Sequence, residues 1–348
     1  TWEWDGAAWR NRAIQGPSPR SSHFMAVDSD RAVTVLFGGN TGGSNCAADT
    51  WEYTGSAWTQ RSVPDAPSAR DHGAMIFEPG RGCILMGGSL PGVWSPARDA
   101  QTWLWNGQAW SIVNELPAGR SIHAMAFDSA RTRTVLYGGK TAFGGNDELW
   151  ERGVGTWVPR VATGGPGPRI GPAMAFDALR GNIITVGGLQ GSTPSDETHV
   201  WDGSQWSAPV QTPGLSRYYH ALAFDSERGV VVLFGGRVNQ STLNGETWEW
   251  NGSAWMNRNV PGPSPRYLHG MAYDAARQRT VLFGGLTASS FSGETWEWNG
   301  VAWTLRTAVG PAPRAGHAMA FDESGATEVL SGSPLAALPP FNGETWEW

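Results

Sequence analysis

Seven histidines are the residues of this chain best suited to acid–base or metal chemistry. Five of them, His23, His123, His220, His269 and His317, close the same phrase, Arg-x-x-His. His199 stands where other copies of a Thr-Trp-Glu-Trp phrase put their first Trp. Those six are scaffold positions. No His-x-His or His-Glu-x-x-His spacing gives them a metal-ligand set, so no metal and no cofactor is expected. His72 is the exception. In Arg70-Asp71-His72-Gly73 it sits one residue early, and a one-residue shift sends a strand side chain to the opposite face. The same unit carries an unusual loop, Ser89 to Gln101, with Arg98 and with Trp94, the only Trp outside the repeat pattern. Loops held by a rigid scaffold carry binding residues. The coincidence marks a candidate pocket of Arg70, Asp71, His72, Trp94 and Arg98.

Arginines form the second constellation. Arg20, Arg70, Arg120, Arg169, Arg217, Arg266 and Arg314 occupy one position in successive units. Seven guanidinium groups at one mouth of a channel would suit carboxylates, sulfates or an acidic peptide, because the planar fork binds oxyanions bidentately. The alternative is structural. Asp49, Glu148, Glu197, Glu246, Glu294 and Glu344 recur at the same end of the units, with Gln101 in unit two, and their carboxylates would neutralise the ring. Mutual repulsion favours that pairing. In unit two it leaves Arg70 to Asp71 or Asp99.

These residues are positioned by a repeat. The second glycine of a Gly-Gly doublet falls at Gly39, Gly88, Gly139, Gly188, Gly236 and Gly285, and in a worn copy at Gly332, at intervals of 49, 51, 49, 48, 49 and 47 residues. A period of roughly 40 to 50 residues with aromatic and glycine marks signals a solenoid or a propeller. Each unit reads as four short strands rich in Val, Thr, Trp and Phe, too short for amphipathic helices. Asp5-Gly6, Asn106-Gly107, Asp202-Gly203, Asn251-Gly252 and Asn299-Gly300 are type I′ hairpin turns in the making. First strands set a large face (His123, Met125, Phe127) against a small one (Ala124, Ala126), as neighbouring sheets need to interdigitate. The expectation is an all-β, seven-bladed β-propeller of four-stranded antiparallel blades, with the aligned histidines wedged between blades.

The glycine doublet, the aromatic third strand and the fourth-strand Trp some 18–22 residues past the doublet resemble the Kelch repeat. The Pro-x-x-x-Arg-x-x-His variants resemble bacterial Kelch-like proteins. The resemblance spans 1–348 as one domain. It implies the fold, and it implies a face where some arginines of Kelch adaptors bind acidic peptides. It does not imply one activity, since Kelch propellers include adaptors, mutarotases, copper-radical oxidases and iron-dependent specifier proteins. Function must come from the site.

Composition narrows the classes. A formal net charge of −6 argues against a nucleic-acid partner. No apolar run approaches a membrane span. Lys140 is the only lysine among the 25 Lys and Arg residues. The start at Thr1 suggests a removed leader or a larger parent, hence a secreted or cell-surface setting. Cys46 and Cys83 fall toward opposite ends of their units, which favours two separate thiols over a disulfide. No motif of an oxidase or specifier protein is recognisable. The reading is a non-catalytic propeller that binds a protein, an acidic peptide or another ligand on the loop face. A lectin is the alternative, with Trp94, Phe143, Tyr218, Tyr267 and Phe291 stacking on sugars. A mutarotase-type enzyme is a weaker one.

The ends compete. Thr-Trp-Glu-Trp occurs at 1–4 and at 345–348, yet a closed ring has one slot for them. The tight Asp5-Gly6 turn favours residues 1–12 as the hairpin that joins first and second strands from around 313–331. The copy at 345–348 would then be displaced and open to strand-mediated self-association.

Overall fold

The computed structural model describes residues 1–12, 15–43, 45–91, 98–115, 118–306, 310–322 and 327–331. The described residues form strands, turns and bends with no helix. Six four-stranded antiparallel blades of a β-propeller are each built from one continuous run of chain, spanning 24–61, 74–115, 124–160, 173–211, 221–257 and 270–306. In each, the four strands follow one another from the inside outward, as short strands joined by tight turns must. In the first blade they are Phe24–Asp28, Val33–Phe37, Thr50–Tyr53 and Trp58–Arg61.

A further four-stranded sheet is composite. Ala318–Asp322 pairs with Thr327–Ser331, which pairs with Trp2–Trp4, which pairs with Trp9–Asn11. Residues 2–4 therefore fill the third-strand slot, and the Asp5-Gly6 hairpin supplies the outer strand. The 345–348 copy lies outside the described residues. The innermost strands pack in a closed circuit in which Phe24–Asp28 touches both Ala74–Glu78 and Ala318–Asp322.

The Thr-Trp-Glu-Trp phrase is the fastening between blades. Its Thr hydroxyl accepts the indole N–H of the next blade's fourth-strand Trp: Trp110 to Thr50 at 2.8 Å, Trp255 to Thr198 at 2.8 Å and Trp303 to Thr247 at 2.7 Å. Its buried Glu accepts the N–H of the next blade's third-strand Trp: Trp105 to Glu52 at 2.8 Å, Trp201 to Glu151 at 2.6 Å and Trp298 to Glu249 at 2.8 Å. The composite sheet uses the same clasps on both sides. Trp4 donates to Glu297 at 2.7 Å and Trp9 to Thr295 at 2.6 Å. On the other side, Tyr53 donates to Glu3 at 2.6 Å and Trp58 to Thr1 at 2.5 Å. Each indole is buried with its one donor satisfied, which is what an aromatic core requires.

The aligned histidines are wedged between blades, as expected. The ring Cε1 of His123, His220, His269 and His317 lies 2.8–3.0 Å from where a Cβ would stand on Gly87, Gly187, Gly235 and Gly284 of the preceding blade. The doublet is glycine for this reason, and because both its residues take left-handed φ, 62° and 98° at Gly38 and Gly39. Cys46 and Cys83 are free thiols, as their positions suggested.

Candidate functional site

The arginine position is architecture. Arg20, Arg70, Arg120, Arg169, Arg217, Arg266 and Arg314 are all buried. Six are ion-paired within their own units: Arg20 with Asp49 at 2.5 Å, Arg70 with Asp99 at 3.0 Å, Arg217 with Glu246 at 3.0 Å, Arg266 with Glu294 at 2.5 Å, Arg120 with Glu148 and Arg169 with Glu197. Asp99, not Gln101, serves unit two. The Nε of Arg314 donates to the Ala312 carbonyl at 2.9 Å, and Glu344 lies outside the described residues. Burial lowers Arg217 and Arg314 to about 10, which leaves both charged at neutral pH. The pairing that mutual repulsion favours is found at these six positions: a guanidinium taken out of water needs a carboxylate beside it, and the approach to the third strand supplies one. The arginines hold the doublets as well. Arg20 Nη1 donates to the Gly38 carbonyl at 2.9 Å, while the Arg70 carbonyl accepts the Gly39 N–H at 2.9 Å.

What faces the channel is the residue just before the histidine position. Ser22, His72, Ile122, Gly171, Tyr219, Leu268 and Gly316 occupy it in turn, all with φ between 51° and 63°. Left-handed backbone at Ile, Tyr and Leu is costly and persists only where the surroundings impose it. Here a run of six backbone hydrogen bonds does so, circling the mouth except between Gly171 and Tyr219. Ser22 N–H donates to Gly316 O at 2.8 Å, His72 to Ser22 at 3.2 Å, Ile122 to His72 at 2.8 Å and Gly171 to Ile122 at 3.0 Å. Leu268 donates to Tyr219 at 3.4 Å and Gly316 to Leu268 at 2.9 Å. These residues and the histidine position below them enclose a cavity of about 340 Å³ at the loop-face mouth of the channel.

The two sides of the cavity differ. Ile122, Tyr219 and Leu268 make one side apolar. Tyr219 leans on Tyr218, with ring centroids 4.9 Å apart, and burial pushes its hydroxyl up to about 12. Ser22 and His72 make the other side polar. His72 Nδ1 is 2.9 Å from Asp71 Oδ1, and His72 Nε2 is 3.2 Å from Ser22 Oγ. Asp71 is buried, its backbone bridged to Ser89. Burial first, then the Asp71 charge and hydrogen bond, push the Cys46 thiol up to about 12, so it stays a proton donor toward that carboxylate.

Unit two can place a histidine here because Phe24 has taken its wedge. Gly73 stands at the histidine position, and a Cβ there would meet Phe24 Cε1 at 2.6 Å. The Phe24 ring lies 3.3 Å from the Cβ position of Gly38, the contact that imidazoles make elsewhere. Pro172 takes the position in unit four.

Of the five residues grouped in unit two, the structure brings His72 to the cavity with Asp71 buried behind it and sends Arg70 into its ion pair. Arg98 reaches sideways, its Nε donating to Ser121 Oγ of the next unit at 3.0 Å. Trp94 lies outside the described residues. Of the expected sugar-stacking aromatics, Tyr218 and Tyr267 are buried, whereas Phe143 is 98% exposed. Ser22 and Tyr219 were missed. Their signal was in the repeat, though a faint one: the position before the histidine carries Ser, His, Ile, Gly, Tyr, Leu and Gly while the Arg two residues earlier is constant, but the position between them varies as widely.

Burial, with the neighbouring arginine charge, lowers His23, His123, His220, His269 and His317 to about 3, so these rings are neutral in the fold. Among the described residues no group of three or more His, Cys, Asp or Glu could hold a metal ion, and no helix is long and apolar enough to cross a membrane. No protein-family model matches the chain, and no curated protein matches it.

Proposed function

We propose that this chain is a binding propeller of Kelch type, the composite sheet counting as its seventh blade, which takes a small ligand at the loop-face mouth of the channel. The observation that carries the reading is the cavity of about 340 Å³ framed by a repeat position whose side chain differs from unit to unit. Arg recurs in all seven units and the Gly-Gly doublet in six, while the side chains that meet the channel differ from unit to unit. The size is that of small-molecule sites, which combine apolar walls with a few placed polar groups. Ile122, Tyr219 and Leu268 facing Ser22 and His72 fit a molecule with an apolar body and one polar, hydrogen-bonding end.

The test is saturation-transfer NMR with phenylacetone, a small ketone of that shape. Transfer to the aryl protons should appear with the parent protein and disappear in Leu268→Trp, which fills the mouth. Equal transfer in both, or none in either, refutes a channel-mouth site for this class.

A further inference from the structure

We propose that Ser22 is a nucleophile for acyl groups, with His72 as its base and Asp71 as the residue that positions His72. The inference rests on the channel-mouth reading and names the chemistry of its polar side.

Three observations converge. The contacts run in one line, Asp71 Oδ1 to His72 Nδ1 at 2.9 Å and His72 Nε2 to Ser22 Oγ at 3.2 Å. Because Asp71 accepts from Nδ1–H, Nε2 carries the lone pair and accepts the serine proton. The relation is also held by backbone: the His72 N–H donates to the Ser22 carbonyl at 3.2 Å, fixing two residues 50 apart in sequence side by side. Finally, His72 differs from its fellows. Both nitrogens of His23, His123 and His220 lack hydrogen-bond partners among the described residues, whereas those of His72 meet a carboxylate and a hydroxyl. The side chain is 30% exposed, on the cavity, where a substrate can reach it.

The step balances without any cofactor. Ser22 Oγ forms a bond to an ester carbonyl carbon as its proton passes to His72 Nε2. The carbon–oxygen bond to the alcohol breaks, and the Nε2 proton leaves with that alcohol. Water then repeats the sequence on the acyl-serine, giving the acid and regenerating Ser22. The Ser22 and His72 amides are already spent on the backbone ring, so neither stabilises the oxyanion. Both tetrahedral steps are slowed alike, so it is an ester with a good leaving group that lets acylation outrun release and the acyl-serine accumulate.

The experiment is incubation of the full chain with 4-nitrophenyl acetate, reading 4-nitrophenolate release and locating the acetyl group by peptide mass spectrometry. We expect a burst approaching one equivalent with the label on Ser22. Ser22→Ala abolishes the label. His72→Gln slows acylation about 100-fold or more, and Asp71→Asn slows it about tenfold or more while the burst amplitude holds. Ser22→Cys, which keeps a nucleophile at the site, restores labelling. Near-UV circular dichroism confirms that each variant is folded. Labelling of Lys140 instead of Ser22, or an unchanged rate in folded His72→Gln, overturns the proposal. If phenylacetone binds but Ser22 is never acylated, the nucleophile is refuted and the binding site stands. If neither occurs, both fall.

Discussion

At the scale of single residues, the site exists through an exchange between neighbouring units. Where five units carry a histidine that wedges between blades, blade two has Gly73, and blade one fills the gap with Phe24 in place of the usual small residue. His72 is thereby released to the channel. Phe24→Ala should cost about 3–4 kcal/mol through the cavity it leaves. Gly73→His should be destabilising in the parent and less so in the Phe24→Ala background, a favourable coupling of about 1 kcal/mol or more for residues in contact. Urea unfolding of the four proteins measures it, and additive costs would separate Phe24 from the origin of the site. Both departures are visible in the sequence, Phe24 against Ala124, Ala318 and their like, and Gly73 against the histidines. What the sequence does not show is that they touch, because blade-to-blade contacts carry no local signal. For the same reason His72 is legible as an oddity and Ser22 is not: the bond between them crosses from one unit to the next.

At the scale of the strand, the Thr-Trp-Glu-Trp phrase explains why the repeat is so regular. Its Thr, its Glu and its second Trp make bonds between blades, while the first Trp donates to the acid two residues before it, as Trp51 does to Asp49 at 2.7 Å and Trp248 to Glu246 at 2.9 Å. Glu52 shows the load. It is buried and receives Trp105 Nε1 at 2.8 Å, Arg31 Nη1 at 2.5 Å and Arg61 Nε at 2.8 Å. Burial alone would raise its pKa, but those donors hold it below the ordinary glutamate value. Glu52→Ala leaves the buried Trp105 indole without its acceptor, while Arg31 keeps Asp28 and Arg61 reaches solvent, and should cost about 1–3 kcal/mol. Glu52→Gln keeps an acceptor for Trp105 and should cost less. Chemical denaturation orders the two variants, and equal losses would show that packing, not the polar network, is what the strand supplies. The strands themselves are legible from alternation and turn residues. Their polar bookkeeping is not, since Arg70 finds Asp99, two residues before the aligned Gln101.

At the scale of the whole molecule, five histidines act together. Each is lowered from 6.5 to about 3 in the fold. The unfolded chain therefore binds more protons between those values, and stability falls as pH drops below 6.5. At pH 5 each ring contributes a loss of about 2 kcal/mol, and the losses add around the circuit. Urea midpoints should decline steeply from pH 7 to pH 5, above the range where carboxylates such as Asp49 and Glu148 protonate. His123→Leu should flatten the slope by about one proton. A flat profile between pH 7 and pH 5 would mean the rings are not held neutral by burial. The resemblance to Kelch repeats anticipated the propeller, and the period anticipated where the histidines lie. Neither anticipated that closure would make their protonation a collective property.

The backbone ring at the channel mouth has an electrical consequence. Its six hydrogen bonds all run in the same rotational sense, from one unit to the one before it, with the circle open between Tyr219 and Gly171. Peptide dipoles arranged head to tail around a circle circulate and largely cancel along the axis, unlike those of a helix, which add. The throat thus presents no preferred polarity to an approaching ion. The sign of any charge admitted is left to the side chains at the mouth, and a single substitution at one of those seven positions can reset it.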